Sequence, residues 1–339
     1  MKKPLVSVVV PIFNMEKYVT VALQSVQQQT YTNFEVICVN DGSTDKSIDL
    51  VTSLNDKRIR IVNQVNQGLS AARNTGIHHA QGKYIALLDP DDVWLPEKLA
   101  QHVAHLENND DVGISYCPSL FITEEGKLNG LGQFPQLTHV NLKTVMCRNP
   151  IGNGSAPVLR KKMLDALSTK LARHSSGRVC FFDENMRQSE DIDFWVYCEL
   201  HSIYKQAGIA TPLTLYRINA GGLSANLAKQ YSAWKFCMQK HLKSSPSLVL
   251  PHYKKAQAYQ YRYLARRAIQ SRCRKSALLY LAKSFKSDVS IIIEEPKKTL
   301  VTLASALLSL MPKCAYEYCE SAVLNLLKQK SMCSNKEAV

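Results

Sequence analysis

Neither of the common glycine-rich phosphate cradles is present in this chain of 339 residues. No G-x-G-x-x-G follows its first apolar run, and no G-x-x-x-x-G-K-[ST] occurs anywhere. If a nucleotide binds, it binds without a glycine loop, which leaves a metal ion to neutralise its phosphates. Long apolar runs are missing as well. No stretch of 18 apolar residues occurs, so no ordinary membrane span is expected. The apolar run near the start is broken by Pro11 and Asn14 before a signal-peptide core can form. The ten cysteines are scattered, and the two near neighbours, Cys314 and Cys319, fit no zinc spacing. Several lie in apolar runs and read as buried free thiols, which suits a reducing compartment, the cytosol. The one glycosylation sequon, Asn153-Gly154-Ser155, is silent there.

Charge is absent as a net quantity from the front of the chain. Residues 1–226 carry 22 Lys/Arg and 22 Asp/Glu, whereas residues 227–339 carry 20 and 6. The basic excess therefore lies in the last third. It places a domain boundary near 227 and implies that the tail, not the front, meets something anionic.

What is there, in the front part, is an alternation of strand and helix signals. β-branched or apolar runs at 7–10, 34–39, 58–62, 84–88 and 112–122 predict strands; helical spacing predicts helices over 16–28, 44–54, 69–80 and 96–107. Such alternation predicts an α/β domain with a mainly parallel, Rossmann-like sheet and helices on both faces. In these sheets ligands sit beyond the carboxyl ends of the strands. Polar clusters stand at those ends: 11–14, 40–45 and 89–92.

The last cluster organises the rest. The run at 84–88 stops at Asp89, Pro90, Asp91 and Asp92, since proline has no N–H to continue a ladder. Carboxylates packed this closely repel each other unless a cation lies between them. Mg²⁺ or Mn²⁺, held by one or two carboxylates and completed by substrate phosphates, is the natural partner. An acidic turn ahead of the helix at 96 is the plainer reading of the cluster taken alone.

Taken together, SVVVPIFN (7–14), VNDGSTD (39–45), NQGLSAARNTG (66–76), LDPDD (88–92) and EDIDFW (190–195), preceded by FDE (182–184), resemble the motifs of family 2 glycosyltransferases. The match spans roughly 5–225 in the family's order. It implies a GT-A fold and inverting transfer of a sugar from a nucleotide diphosphate, a uridine donor in the first instance, to a hydroxyl. On that resemblance Pro11, Phe13 and Asn14 line the nucleotide site; Phe13, where the family usually has tyrosine, stacks on the base. Asp41 accepts the base N–H, Arg73 meets the diphosphate, and Asp89 binds ribose. Asp91 holds the metal with Asp92 close by. Asp191 is the general base, Glu190 contacts a sugar, and Arg217 approaches the phosphates ahead of Gly221, Gly222 and Ser224. Asp193 reads as structural. Residues 149–155 and 175–178 read as mobile acceptor-side loops. The Q-x-x-R-W motif of processive members is missing, so one-at-a-time transfer is expected.

Beyond 230 the β signals cease. Helices are expected over 259–269, 275–285, 300–310 and 315–327, several with apolar and basic faces, giving an α-helical C-terminal extension. Two readings stay open for it: a helix set lying on an anionic membrane, or a hairpin packed on the front domain with its basic face solvated. Nucleic acid is not expected, because no interleaved aromatics accompany the charge. The activity implied is extension of a lipid-linked glycan of a bacterial surface polysaccharide, at the inner membrane face. The rival readings are a nucleotidyltransferase of related layout and an inactive binding module; intact Asp89, Asp91 and Asp191 oppose the second.

Overall fold

The computed structural model describes residues 4–218 and 227–310. The glycines at 221 and 222, the helix expected over 315–327 and the last three cysteines lie outside the described residues. The chain divides into two compact units, Met1–His252 and Tyr253–Val339.

Every residue of β1 (Val6–Ile12) is buried, so it occupies the middle of a sheet covered on both faces. It leads through α1 (Val19–Gln27) to β2 (Phe34–Asn40), then α2 (Ser47–Ser53), β3 (Ile59–Asn63), α3 (Leu69–His79) and β4 (Tyr84–Leu87). There follow β5 (Val93–Trp94), α4 (Lys98–Asn108), β6 (Val112–Tyr116), β7 (Ser119–Ile122), β8 (Leu128–Gln133) and α5 (Leu142–Cys147). Next come β9 (Val158–Arg160), α6 (Lys161–Ser168), α7 (Glu190–His201), β10 (Lys205–Gly208), β11 (Thr214–Arg217) and α8 (Leu227–Ser244). The division between units falls inside α9 (Pro246–Gln270), and α10 (Arg274–Ser287), α11 (Ile291–Glu294) and α12 (Pro296–Leu308) belong to the second unit.

Seven strands form the main sheet in the order β10-β6-β9-β4-β1-β2-β3. All pairings are parallel except those of β9, which runs against both β4 and β6. The sheet is therefore mixed. Strand order reverses between β1 and β4, the switch point at which an α/β sheet opens a crevice. Their pairing stops at Val9↔Leu87 while β1 runs on to Ile12. This explains how Pro11 sits inside a central strand. Val9 O accepts from Leu88 N on the β4 side and Ile12 O accepts from Asp41 N on the β2 side. Alternation then points the Pro11 nitrogen toward β4, past its last paired residue, where no ladder donor is needed.

The run at 112–122, expected as one strand, is two. Pro118 interrupts it, sending β6 into the main sheet and β7 into a second, four-stranded sheet ordered β5-β11-β7-β8. That second sheet takes up the chain directly after the acidic turn, so it anchors the turn's outgoing end.

The boundary that the charge break places at 227 lies 25 residues before His252, where the first unit ends. The reason is α8, whose Trp234, Cys237, Met238 and His241 are buried and which packs on α7. Within the second unit Ala256, Ala258, Leu264, Ala265 and Ala268 of α9 are buried, and Arg262 donates to Thr299 Oγ1 at 2.7 Å. Ile293, Leu300, Val301, Leu307 and Leu310 stay exposed. Among the described residues no helix is long and apolar enough to cross a membrane.

Candidate active site at the β1–β4 crevice

The loops after β1 and β2 hold each other. Asn14 takes a left-handed backbone (φ 53), its N–H donates to Ser43 Oγ at 3.2 Å, and its Oδ1 accepts from Thr44 N at 2.9 Å. Asn14 is thereby a tie between loops. Beside it Phe13 is 45% exposed, a large ring left open at the crevice mouth. Asp41, at the end of β2, is buried. Its Oδ1 accepts from Gln64 Nε2 (2.7 Å) and Gln67 N (2.8 Å), and its Oδ2 from Gly68 N (2.8 Å). The carboxylate thus shapes the turn into α3, and an oxygen with a single donor can accept a second from a ligand.

The centre of the site is Arg73. Its side chain is 2% exposed, and it forms two ion pairs: Nη2 to Asp89 Oδ1 at 2.7 Å and Nη1 to Glu190 Oε1 at 2.8 Å. One guanidinium therefore joins the acid at the end of β4 to the acid that opens α7, which lies 117 residues beyond Arg73. Burial alone would lower its pKa; the charges of Asp89 and Glu190 outweigh burial, and the net movement is upward. Within the chain, both arms of the Arg73 fork meet carboxylates, alongside the diphosphate contact that the resemblance implies for it. Next to Arg73 in sequence, Asn74 fastens the 182–184 segment, donating to Phe182 O (2.7 Å) and Glu184 Oε1 (2.9 Å) and accepting from Phe182 N (2.9 Å).

Of the acids in the 89–92 turn, Asp92 departs from its expected role as a metal neighbour. It is fully buried, its Oδ2 accepts from Ser155 Oγ at 2.6 Å, and its Oδ1 accepts from Arg217 N at 2.9 Å. It tethers the turn to β11 and to the 149–155 segment. Burial, then the negative charge of Asp91 and Asp89, pushes Asp92 well above the usual carboxylate range. Arg217, expected near the phosphates, is likewise a tether within the chain. Its Nε donates to Asp91 O at 2.8 Å, and its Nη1 to Thr123 O and Glu124 O at 2.9 and 2.8 Å. The candidate holder of a cation is Asp91, half-buried, with its backbone fixed by Arg217. The residues fit a hard divalent ion: the donors are carboxylate oxygens crowded into one turn, where the charges of Asp91 and Asp89 add to burial in raising Asp92.

Asp191 follows Glu190 in the first turn of α7. Its Oδ2 accepts from Asn149 Nδ2 at 3.1 Å and its Oδ1 from Ile192 N at 2.8 Å. Burial, then the charge of Glu190, pushes it up to about 7, against the pull of Ile192 N–H, Arg73 and Asn149. A carboxylate poised near neutrality is suited to take a proton. Asn149 is pinned for this contact, its Oδ1 accepting from Ile151 N and Gly152 N at 3.2 and 3.0 Å.

The 149–155 segment, expected as a mobile loop, is buried in part and hydrogen-bonded to the acids of the site. Asn153 and Ser155 are buried, and Ser155 Oγ also accepts from Asp89 N at 2.9 Å. Gly154 is dictated by close approach: a Cβ there would lie 2.2 Å from Arg73 Nη2 and 2.5 Å from Asp89 Oδ2. Asn149, Gly154 and Ser155 carry no motif of their own; the Asn-Gly-Ser run is the one sequence cue, and it reads as a sequon.

The first match outside the chain is to the family model for glycosyl transferase family 2, over residues 7–167. An uncharacterized glycosyltransferase of Methanocaldococcus jannaschii is 30% identical over 250 residues, 72% of this chain and 81% of that protein. Another, of Rickettsia felis, is 31% identical over 245 residues, 72% of this chain but 38% of the longer rickettsial protein. Among solved structures, Pyrobaculum calidifontis mannosyltransferase PcManGT, in complex with GDP-Man and Mn²⁺, aligns at a TM-score of 0.55 and 18% identity, covering 92% of this chain and 89% of that one. S. aureus TarS 1–349 with UDP-GlcNAc aligns at 0.51 and 18%, covering 91% and 82%. The mixed sheet with β9 reversed, its crevice at β1–β4 and these likenesses together are the GT-A fold, and the chain belongs to glycosyl transferase family 2.

Proposed function

We propose that this glycosyltransferase moves a sugar, with inversion, from a uridine diphosphate donor to an acceptor hydroxyl. The observation that carries the reading is the Arg73 bridge, which brings the acid of β4 and the acidic start of α7 to one crevice. Asp191 takes the acceptor proton as its oxygen attacks the anomeric carbon from the face opposite the leaving group. Asn149 orients the Asp191 carboxylate, and Glu190, fixed by Arg73, sets where the helix begins. Phe13 offers its exposed ring for stacking on the base, and Asp41 Oδ2 accepts the base N–H. Pro11 closes the β1 end of that site, and Asp89, held by Arg73, turns its second oxygen to ribose. Asp91 would hold Mn²⁺ or Mg²⁺, which when bound supplies Lewis-acid stabilisation of the departing diphosphate. A Mn²⁺ complex of the structurally similar PcManGT supports that choice of cofactor, and a UDP-GlcNAc complex of TarS that of donor.

Release of nucleoside diphosphate from a panel of UDP- and GDP-sugars, with Mn²⁺ or Mg²⁺, tests the reading. Turnover with a UDP-sugar is expected to fall about 100-fold or more on chelation, and equally in Asp91→Asn, the size of a lost metal contribution to charge stabilisation. Chelator-resistant turnover removes the metal from this account; turnover with GDP-sugars alone removes uridine.

The acceptor we propose is a lipid-linked glycan, met at the inner face of a bacterial cytoplasmic membrane. The second unit supports this: α12 exposes Leu300, Val301 and Leu307 in a region rich in lysine and arginine. Full-length protein is expected to float with phosphatidylglycerol vesicles at low salt. The triple variant Leu300→Glu, Val301→Glu, Leu307→Glu is expected to stay in the pellet fraction. Equal flotation of both proteins places the contact elsewhere.

A further inference from the structure

The segment from 183 to 193 carries Glu190 and Asp191, yet regular structure begins only at Glu190, and the residue before it, Ser189, has a left-handed backbone (φ 63). A non-glycine residue in that region is held there by its surroundings. Both ends of the segment meet one ammonium. Lys240 Nζ on α8 lies 2.8 Å from Asp183 Oδ2 and 2.7 Å from Asp193 Oδ2. Asp193 is buried, and its N–H donates to Ser189 O at 3.0 Å, closing the first turn of α7 on the strained residue. His241 Nε2 lies 2.9 Å from Asp193 Oδ1 and 3.2 Å from the Asp193 carbonyl.

We propose that Lys240 is a positioning residue for the catalytic base: by clamping Asp183 to Asp193 it fixes the turn of α7 that presents Asp191. The inference rests on Asp191 being that base. It assigns a role in the reaction to a helix outside the 7–167 stretch of the family match.

Donor atoms of Asp193, Cys237 and His241 lie within 4.8 Å of one another, a spacing that also suits a metal ion. The position of Lys240 favours the ammonium as the resident cation: its Nζ already lies 2.7 Å from Asp193 Oδ2. Burial works against the Lys240 charge, but Asp193 and Asp183 outweigh it and raise its pKa.

The groups facing Asp191 are Glu190 beside it, Arg73 from α3, Asn149 from the segment before β9, and Cys237 from α8; Asp193 with Lys240 and His241 lies one step further. Removing the ammonium leaves the negative charge of Asp193 without its nearest cation, which disfavours ionisation of Asp191. The effect is expected in kcat and its pH profile, not in nucleotide affinity.

The test uses full-length Lys240→Met and Lys240→Arg, with the exposed Lys235→Met on the same helix as control. UDP-N-acetylglucosamine and GDP-mannose are the donor probes. In Lys240→Met, kcat is expected to fall about tenfold with KM for the donor within about twofold, and the acidic limb to move to higher pH. Lys240→Arg restores part of the loss and Lys235→Met matches the parent. Hydrogen exchange of peptides covering 183–196 needs no donor; it is expected to speed up in Lys240→Met alone. Parental exchange in Lys240→Met overturns the proposal, as does a parental pH profile wherever a probe turns over. Stoichiometric zinc in the purified protein, lost in Cys237→Ser, overturns it also, since the resident cation is then a metal. Asp191→Asn made in parallel separates the two levels: full turnover in that variant refutes the base assignment, whereas an inactive Asp191→Asn beside an unaltered Lys240→Met refutes only the clamp.

Discussion

Asp191→Asn is expected to lower transfer by about a thousandfold while nucleotide binding persists, the range over which a general base contributes. The amide keeps the shape of the side chain and its place in the first turn of α7, but it cannot take a proton. The hydrogen bonds of Arg73 to Asp89 and Glu190 do not involve that carboxylate, so the bridge between β4 and α7 is expected to stay in order. Donor binding by calorimetry and turnover under saturating donor therefore separate the two effects. The pH profile adds a second check. A base whose pKa is raised to about 7 is protonated and idle below that value, so the parent's rate is expected to climb through neutrality and level off above it. In Asp191→Asn that limb disappears, because the group that titrates is gone. An Asn variant with near-parental turnover and an unchanged limb moves the base elsewhere.

The sheet was legible because its strands are written in runs that only a strand buried on both faces tolerates. Val6–Ile12 and Tyr84–Leu87 are buried throughout, and their apolar composition says so without help from the rest of the chain. The polar residues that end those strands were legible for the same reason: they stand where burial stops. Two things escaped. The division of 112–122 into β6 and β7 turns on Pro118, whose effect is plain only once the two halves are seen in different sheets. The packing of α8 on the first unit turns on Trp234, Cys237, Met238 and His241, which at helical spacing do not say which surface they cover.

The site was legible in its residue types more than in its pairings. Which acid faces the crevice depends on partners distant in sequence. Asp92 lies next to Asp91, yet Ser155 and the Arg217 N–H draw it into the interior. Arg217 is a cation near the expected phosphates, yet three main-chain carbonyls take its donors. Periodicity shows that such residues leave the core-facing pattern; it does not show what they meet.

Arg73→Met is expected to be the most damaging single change to stability in the first unit. The thioether fills a comparable volume but leaves Asp89 and Glu190 facing one another without a cation. Their side chains are 20% and 10% exposed, so water offsets little of that loss. Breaking one partner out of a buried pair costs about 3–5 kcal/mol. For a unit of this size that corresponds to a melting point lower by roughly 10 °C, readable by calorimetry. Arg73→Lys is expected to recover little, because a single ammonium cannot reach two carboxylates with the geometry of a planar fork. The double variant Arg73→Met, Glu190→Gln is expected to regain part of the stability but not the activity. Removing one of the stranded anions relieves the repulsion, while the link between β4 and α7 stays cut and Asp191 loses the support that the bridge gives the start of α7. Stability that fails to recover in the double variant shows that packing around the guanidinium, and not its charge, is what the position supplies.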